Sequence, residues 1–231
     1  MATDHIDLEL PGAHVRFTTR AGGVSAGPYA SLNLGRWTAD DPAAVAENRR
    51  RAGDGRALAF ARQVHGTTVL TLGGPTAEDA IGDADGVATT APGVAALVLT
   101  ADCLPVALAT PHAVAMVHAG WRGLADGVVE AGVRAVRALD PDGELGAAIG
   151  PGAGGCCYEV GDEVAARFPG WARRAGRRID LKAVAAARLR DAGVTQPLDV
   201  DRCTMCEPDV FFSHRASGGL TGRQGGLVWR S

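Results

Sequence analysis

Lysine is almost missing from this chain: of 23 basic residues only Lys182 is lysine. With the abundance of Ala and Gly, that scarcity reads as the coding bias of a GC-rich genome and carries no functional message. A surplus of positive charge is missing too. The 26 acidic and 23 basic side chains leave a net charge of −3, which argues against a general nucleic-acid binder, because phosphate backbones demand excess cations. A small anion held by one or two arginines stays open. No apolar run is long enough to span a bilayer, since the longest, Val87 to Ala109, is broken by Pro92, Asp102 and Pro105. The start, MATDHIDLEL, carries acids where a secretory leader needs a basic segment and an apolar run. The cytoplasm is the expected compartment. Five cysteines are an odd number, so they cannot form a complete disulfide framework within the chain. Cys156 and Cys157 are adjacent, and adjacent cysteines rarely pair. Free thiols, metal ligands or a nucleophile are expected instead.

At 231 residues the chain can bury its own core, and no repeat, low-complexity tract or linker divides it, so a single domain over 1–231 is expected. Local signals mark its elements. His14 to Thr18 reads as a strand, followed by a turn-rich loop over 21–28. Asp41 caps a helix with Pro42 at its first position, ending at Gly53. Ala57 to Phe60 and Thr67 to Leu72 are short β-like runs. Gly93 to Thr100, Val106 to Ala109 and Ala113 to Val117 are apolar without alternation, as strands buried on both faces are. Leu124, Val128, Val129, Val133 and Val136 recur at helical spacing and predict one amphipathic helix. Leu145 to Ile149 reads as a strand, Asp162 to Phe168 and Asp180 to Ala192 as helices, and Leu227 to Trp229 as the last strand. Strands mostly adjoin strands, which favours an α+β fold.

Three metal-ligand types stand where an apolar run breaks into a Gly- or Pro-containing turn. They are His65 before Gly66, Cys103 before Leu104-Pro105, and His118 before Ala119-Gly120. Strand ends offer rigid supports, and glycines let a substrate approach the backbone. Two imidazoles and a thiolate suit catalytic zinc with one open position. Spacing alone is weak evidence, because a His or Cys at a strand end is more often a packed core residue.

The motifs strengthen it. In order they are TTRAGGVSAGPYASLNLG (Thr18 to Gly35), QVHGTTV (Gln63 to Val69), TADCLPV (Thr100 to Val106) and VHAGWRGLADGVV (Val117 to Val129). IGPGAGGCCYEVGDEV (Ile149 to Val164), DLKAVAAARLRDAGV (Asp180 to Val194) and DRCTMCEPDVFFSHR (Asp201 to Arg215) follow. Together they resemble the YfiH or laccase-domain family, also called polyphenol oxidase or purine nucleoside phosphorylase. The resemblance implies a layered α/β/β/α fold with mixed β-sheets and a zinc bound by His65, Cys103 and His118, copper being the older assignment. It also implies phosphorolysis of adenosine, inosine and methylthioadenosine, together with adenosine deamination. The partners would be purine nucleosides and phosphate, with neither nucleic acid nor membrane. Gly155 and Ala216 depart from the family's usual Pro and Arg, which touches the pocket wall and substrate preference.

Around that set, Arg20 and Arg122 are the expected phosphate contacts, since guanidinium matches phosphate with two parallel hydrogen bonds. Each has a plainer alternative: Arg20 as an anchor of its glycine-rich loop, Arg122 as a solvated charge. Asn33 either contacts substrate or stabilises a turn. Gln63 either orients His65 or contacts substrate, Asp102 is a further orienting carboxylate, and His214 is a pocket-lining residue. Cys203 and Cys206 form a CxxC with no second ligand pair at suitable spacing, so they read as structural, as do Cys156 and Cys157. Rival functions are a cysteine hydrolase with Cys103 as nucleophile and His118 as base, a copper phenol oxidase, and a protein that binds or edits cell-wall precursors. The chain lacks any His-x-His pair, which counts against multicopper chemistry.

Overall fold

A computed structural model describes residues 5–76 and 82–231. Residues 1–4, part of the leader reading, lie outside it. The strands and helices in chain order are β1 (Ile6–Leu10), β2 (Ala13–Phe17), α1 (Pro42–Gly53), β3 (Ala57–Ala59), β4 (Val69–Thr71), β5 (Gly86–Thr89), β6 (Val94–Thr100), β7 (Leu104–Ala109) and β8 (Val114–Ala119). They continue with α2 (Trp121–Asp126), α3 (Val128–Leu139), β9 (Gly146–Ile149), α4 (Asp162–Ala165), α5 (Leu181–Asp191), β10 (Leu198–Asp199) and β11 (Gln224–Arg230).

Two sheets form, ordered β1-β2-β11-β6-β3 and β10-β9-β7-β8-β5-β4. Each mixes antiparallel pairs with parallel ones, β3 beside β6 in the first, β4 beside β5 and β10 beside β9 in the second. Their facing surfaces meet through Val15, Phe17, Ala96, Val98, Ala107, Met116 and Val228, all buried. The second sheet turns Leu104, Val106, Leu108, Ala115 and Val117 the other way, onto Val129, Val133 and Val136 of α3 and Val184 and Leu189 of α5. The first sheet's outer face carries Leu97, Leu99 and Leu227 against Leu32, Leu34 and Ala52. The architecture is therefore α/β/β/α, and an α+β fold. Alternate residues of the central strands pack into different layers, both apolar, which is why these strands show no polar alternation.

Caps explain where helices begin. The Asp41 carboxylate accepts from the Ala43 amide at the start of α1, and Asp180 does the same for Ala183 at α5. The one amphipathic helix expected over Leu124 to Val136 is two. Gly127 has φ 99°, a left-handed backbone that ends α2 and starts α3 while leaving the apolar spacing almost unbroken. β1, β5 and β10 lie where no separate strand is expected. β1 alternates exposed and half-buried residues at the sheet edge, whereas β5 was merged into the long apolar stretch. No helix of the described residues is long and apolar enough to cross a membrane.

Candidate metal centre

The rim of the second sheet gathers the three predicted ligands. His65 sits in the loop between β3 and β4, Cys103 in the turn between β6 and β7, and His118 near the end of β8. One ligand atom from each lies within 4.8 Å of the others. The two imidazole rings meet edge to face, with centroids 4.9 Å apart and planes at 82°. His118 is buried, Cys103 partly so, and His65 is open to solvent.

The organiser is Asp85, a residue that sequence reasoning missed. It immediately precedes β5 and is wholly buried. One carboxylate oxygen meets His118 Nδ1 at 2.8 Å and accepts the His65 amide at 2.9 Å; the other accepts from Gly66 at 2.6 Å and Val64 at 3.2 Å. Three successive amides thus converge on one anion, and His65 takes a left-handed φ of 60°. An ionised carboxylate only accepts, so Nδ1 of His118 carries the proton and Nε2 keeps its lone pair for a metal. Burial opposes that charge, but His118 and the amides hold the Asp85 carboxyl below the usual range.

In the protein alone the same groups polarise one another. Burial opposes ionisation of Cys103, yet the His118 charge and hydrogen bonds from both imidazoles bring its thiol down to about 6. Burial likewise opposes protonation of His118, but the Cys103 thiolate and Asp85 raise it to about 9. A thiolate and two imidazoles are a fitting donor set for zinc. The backbone leaves room as well. A Cβ on Gly120 would stand 2.9 Å from the His65 ring, 3.1 Å from Cys103 Sγ and 3.6 Å from the His118 ring, so the missing side chain is what keeps this cradle open. Three residues on, a Cβ on Gly123 would meet the Gly66 carbonyl at 2.7 Å, which lets α2 press against the His65 loop.

A cavity of about 300 Å³ opens onto the triad, at the lower end of small-molecule sites, which hold about 300–1,000 Å³. Gly35, Trp37, Thr38, Gln63, Leu99, Thr100, Ala101, His214 and Arg223 complete its lining.

A family model described as multi-copper polyphenol oxidoreductase laccase matches residues 14–231. The chain belongs to this family. A purine nucleoside phosphorylase of Mycobacterium tuberculosis is 43% identical over an alignment of 231 residues, covering 92% of this chain and 90% of its own. Among solved structures, a Neisseria meningitidis protein superposes with a TM-score of 0.89 at 36% identity, covering 99% of both chains. YfiH of Bacillus licheniformis gives 0.86 at 30% identity, covering 95% of this chain and 93% of its own. The resemblance to the YfiH or laccase-domain family holds in sequence and fold.

Other residues of the laccase-domain motifs take places the sequence did not specify. Gln63 lines the cavity but spends its amide on Leu99, accepting from the backbone N–H at 2.8 Å and donating to the carbonyl at 2.7 Å. It ties the His65 loop to β6, both ends of its amide being engaged by Leu99. Asn33 is wholly buried, donating to Thr38 and Asp40 and accepting from the Gly35 and Arg223 amides, so it secures turns. Arg20 donates to the carbonyls of Ala30 and Pro208 and lies over Phe212, the anchoring role. Arg122 stacks on Trp121 and faces a different cleft with Tyr158, Arg177 and Arg215. Arg223, in TGRQGG where no motif reading pointed, does line the cavity at the triad. Asp102, left-handed at φ 91°, accepts from Thr204 Oγ1 and the Arg215 amide; it frames Cys103 rather than orienting an imidazole. His214 lines the cavity as expected.

A second ligand pair for Cys203 and Cys206 exists, because the fold brings Cys156 and Cys157 to them. All five thiols are free.

Proposed function

We propose that the chain is a zinc-dependent purine nucleoside phosphorylase acting on adenosine, inosine and methylthioadenosine, with adenosine deaminase activity. The observation that carries this reading is the convergence of His65, Cys103 and His118 on a cavity whose wall also holds Trp37 and Arg223. Relatives at 39–43% identity are named purine nucleoside phosphorylase, which agrees with the phosphorylase part of this reading. His65, Cys103 and His118 would hold the metal. Bound zinc supplies a Lewis-acid charge with one position open, suited to activating water or a substrate oxygen near neutral pH.

The chain's own groups do the rest. Asp85 fixes the His118 tautomer and the His65 loop. Trp37, 54% exposed at the cavity, offers a face for a purine to stack on. Arg223, whose Nη1 donates to the Thr221 and Gly222 carbonyls, lines the cavity and would hold the phosphate. Phosphorolysis forms a bond from a phosphate oxygen to the anomeric carbon and breaks the bond to the base nitrogen, which takes the phosphate's proton, giving the sugar 1-phosphate (5-methylthioribose 1-phosphate from methylthioadenosine) and free purine. Positioning and cationic stabilisation are the main demands of that exchange. Arg20, Arg122, Asn33 and Gln63 contribute by holding the walls or the neighbouring cleft.

A cysteine hydrolase is the second reading, and one observation favours it: Asp85, His118 and Cys103 form a connected acid–base–thiol series. One assay separates the two. Adenosine consumption is followed by chromatography with and without phosphate, before and after a chelator. Ribose 1-phosphate and adenine appearing only with phosphate support the phosphorylase, and inosine without phosphate supports the deaminase. Full activity after zinc removal would end the metal reading, and rapid trapping of Cys103 by an alkylating reagent would favour the nucleophile. A copper phenol oxidase would turn over phenols instead, and a precursor-binding or editing protein would leave nucleosides untouched.

A further inference from the structure

We propose that Cys156, Cys157, Cys203 and Cys206 form a second metal site, a tetrathiolate that holds one zinc ion in a structural role. Their four sulfur atoms lie within 4.8 Å of one another. Cys206 Sγ is 3.6 Å from Cys156 Sγ and 3.0 Å from Cys157 Sγ. Zinc–sulfur bonds of about 2.3 Å place tetrahedral ligands about 3.8 Å apart, so the free thiols need to shift by less than about 1 Å. Binding would convert four thiols to thiolates, forming four Zn–S bonds and releasing four protons to solvent, with no redox change.

The backbone around the cluster is arranged for this. The turn containing Cys156 and Cys157 and the turn containing Cys203 and Cys206 are joined by a parallel bridge, Gly152 to Cys203, with the Thr204 amide donating to the Gly152 carbonyl at 3.1 Å. The Gly154 amide points at Cys203 Sγ from 3.3 Å, the kind of N–H contact that steadies a metal thiolate. The cleft that Cys156 and Cys203 line carries Arg174, Lys182, Arg190 and Arg202 beside Asp180, Asp199 and Asp201, with Arg174, Lys182 and Arg202 paired to Asp180, Asp199 and Glu207. All four positions are filled by protein, which leaves none for substrate and marks the site as structural.

Its target is the wall of the first centre. Thr204, inside the second turn, donates to Asp102, which also accepts the Arg215 amide, while the Asp102 carbonyl accepts from Ala153. Asp102 directly precedes Cys103. A zinc clamp on the two cysteine turns would therefore brace the loop that presents the catalytic thiolate and the segment that carries His214.

Native mass spectrometry of the full chain, purified under reducing conditions with zinc present, tests this. Two zinc ions are expected per wild-type chain, and one in each of the double variants Cys156→Ser with Cys206→Ser and His65→Ala with His118→Ala. If a variant precipitates, cobalt loaded into wild type decides: thiolate-to-cobalt absorption should match five sulfur–metal bonds, and one bond's worth would refute the cluster. One zinc per wild-type chain that vanishes only with His65 and His118 overturns the proposal, as does a mass two hydrogens lighter, the mark of a disulfide between the clustered cysteines. One zinc that vanishes only with Cys156 and Cys206 upholds it and removes the metal from the proposed function.

Discussion

Replacing Asp85 with Asn changes almost nothing in size and much in hydrogen bonding, which makes it the sharpest test of the centre. The carboxylate is wholly buried and faces only donors: the amides of Val64, His65 and Gly66, and His118 Nδ1. An amide keeps one accepting oxygen and sets an N–H₂ group in place of the other. If the N–H₂ faces His118 and the His65 amide, the imidazole must present Nδ1 as an acceptor, moving its proton to the nitrogen that should bind metal. If it faces Val64 and Gly66, two donors confront two donors. The first orientation loses the His65 bond and reverses the His118 one, and the second loses two bonds, a hydrogen bond to a charged acceptor contributing about 1.5–3 kcal/mol. The expected destabilisation is therefore about 2–6 kcal/mol, a range that includes the cost of breaking other buried charge pairs. Domains of this size hold about 5–15 kcal/mol, so the variant should fold at room temperature with its urea midpoint well below that of wild type. Zinc affinity should fall about 10–100-fold, as when other partners of metal-binding imidazoles are removed; competition with a chromogenic chelator reads that directly. An Asn variant with wild-type zinc affinity and a urea midpoint equivalent to less than about 0.5 kcal/mol of change would refute the organising role given to Asp85.

Gly120→Ala should reduce zinc affinity at least about tenfold while costing about 1–3 kcal/mol of stability, because φ −71° and ψ 164° suit alanine and only the clash with His65 and Cys103 is new. Unchanged zinc content would count against the cradle. Arg223→Gln should raise the apparent KM for phosphate at least about tenfold, the value of one lost charged contact, while leaving phosphate-independent deamination largely intact; equal loss in both assays would instead indicate a damaged pocket wall. Gly127→Ala should cost about 1–2 kcal/mol through its left-handed φ alone, read as a lower thermal midpoint, and an unchanged midpoint would contradict the break assigned between α2 and α3. At the surface, hydrogen bonds from Arg50 and then Arg51 hold the Glu47 carboxyl at about 2. Its contribution to folding is thus present above the unfolded glutamate pKa of about 4.3 and fades as pH falls through 2. Carboxyl NMR showing a midpoint near about 4.3 would dissolve that trio.

What the sequence revealed depends on how local each signal was. α1 and α5 could be placed closely because Asp41 with Pro42, and Asp180, are caps written beside the helices they start. The break between α2 and α3 could not, since the apolar spacing from Leu124 to Val136 runs through Gly127 and only the sign of one backbone angle interrupts it. The grouping of His65, Cys103 and His118 was legible because each sits in a distinctive motif at a strand end. Arg20 and Asn33 sit in motifs just as distinctive, but their motif is a loop whose buried polar groups bind one another. A conspicuous polar residue can therefore serve the turn that contains it, and nothing along the chain separates that from contact with substrate. The four clustered cysteines were read as two unconnected pairs because chain spacing cannot report a bridge between Gly152 and Cys203.

The omission of Asp85 has a cause of the same kind, and it coincides with the omission of β5. Along the chain Asp85 is one acid among several in EDAIGDADG, with nothing to set it apart. Its importance comes from sheet pairing. β5 runs antiparallel to β8 with Gly86 opposite Val117, and parallel to β4 with Val69 opposite Gly86. One residue earlier, that register sets Asp85 beside His118 on one flank and the His65 loop on the other, and the His118 amide donates to the Asp85 carbonyl at 2.7 Å. Once Val87 to Thr89 is merged into a longer apolar run, no strand remains to deliver the carboxylate, and the His118 ring and the His65 backbone amide lack their common acceptor. Among the described residues, the strand between β4 and β8 is thus what sets the Asp85 carboxylate against both the His118 ring and the His65 amide.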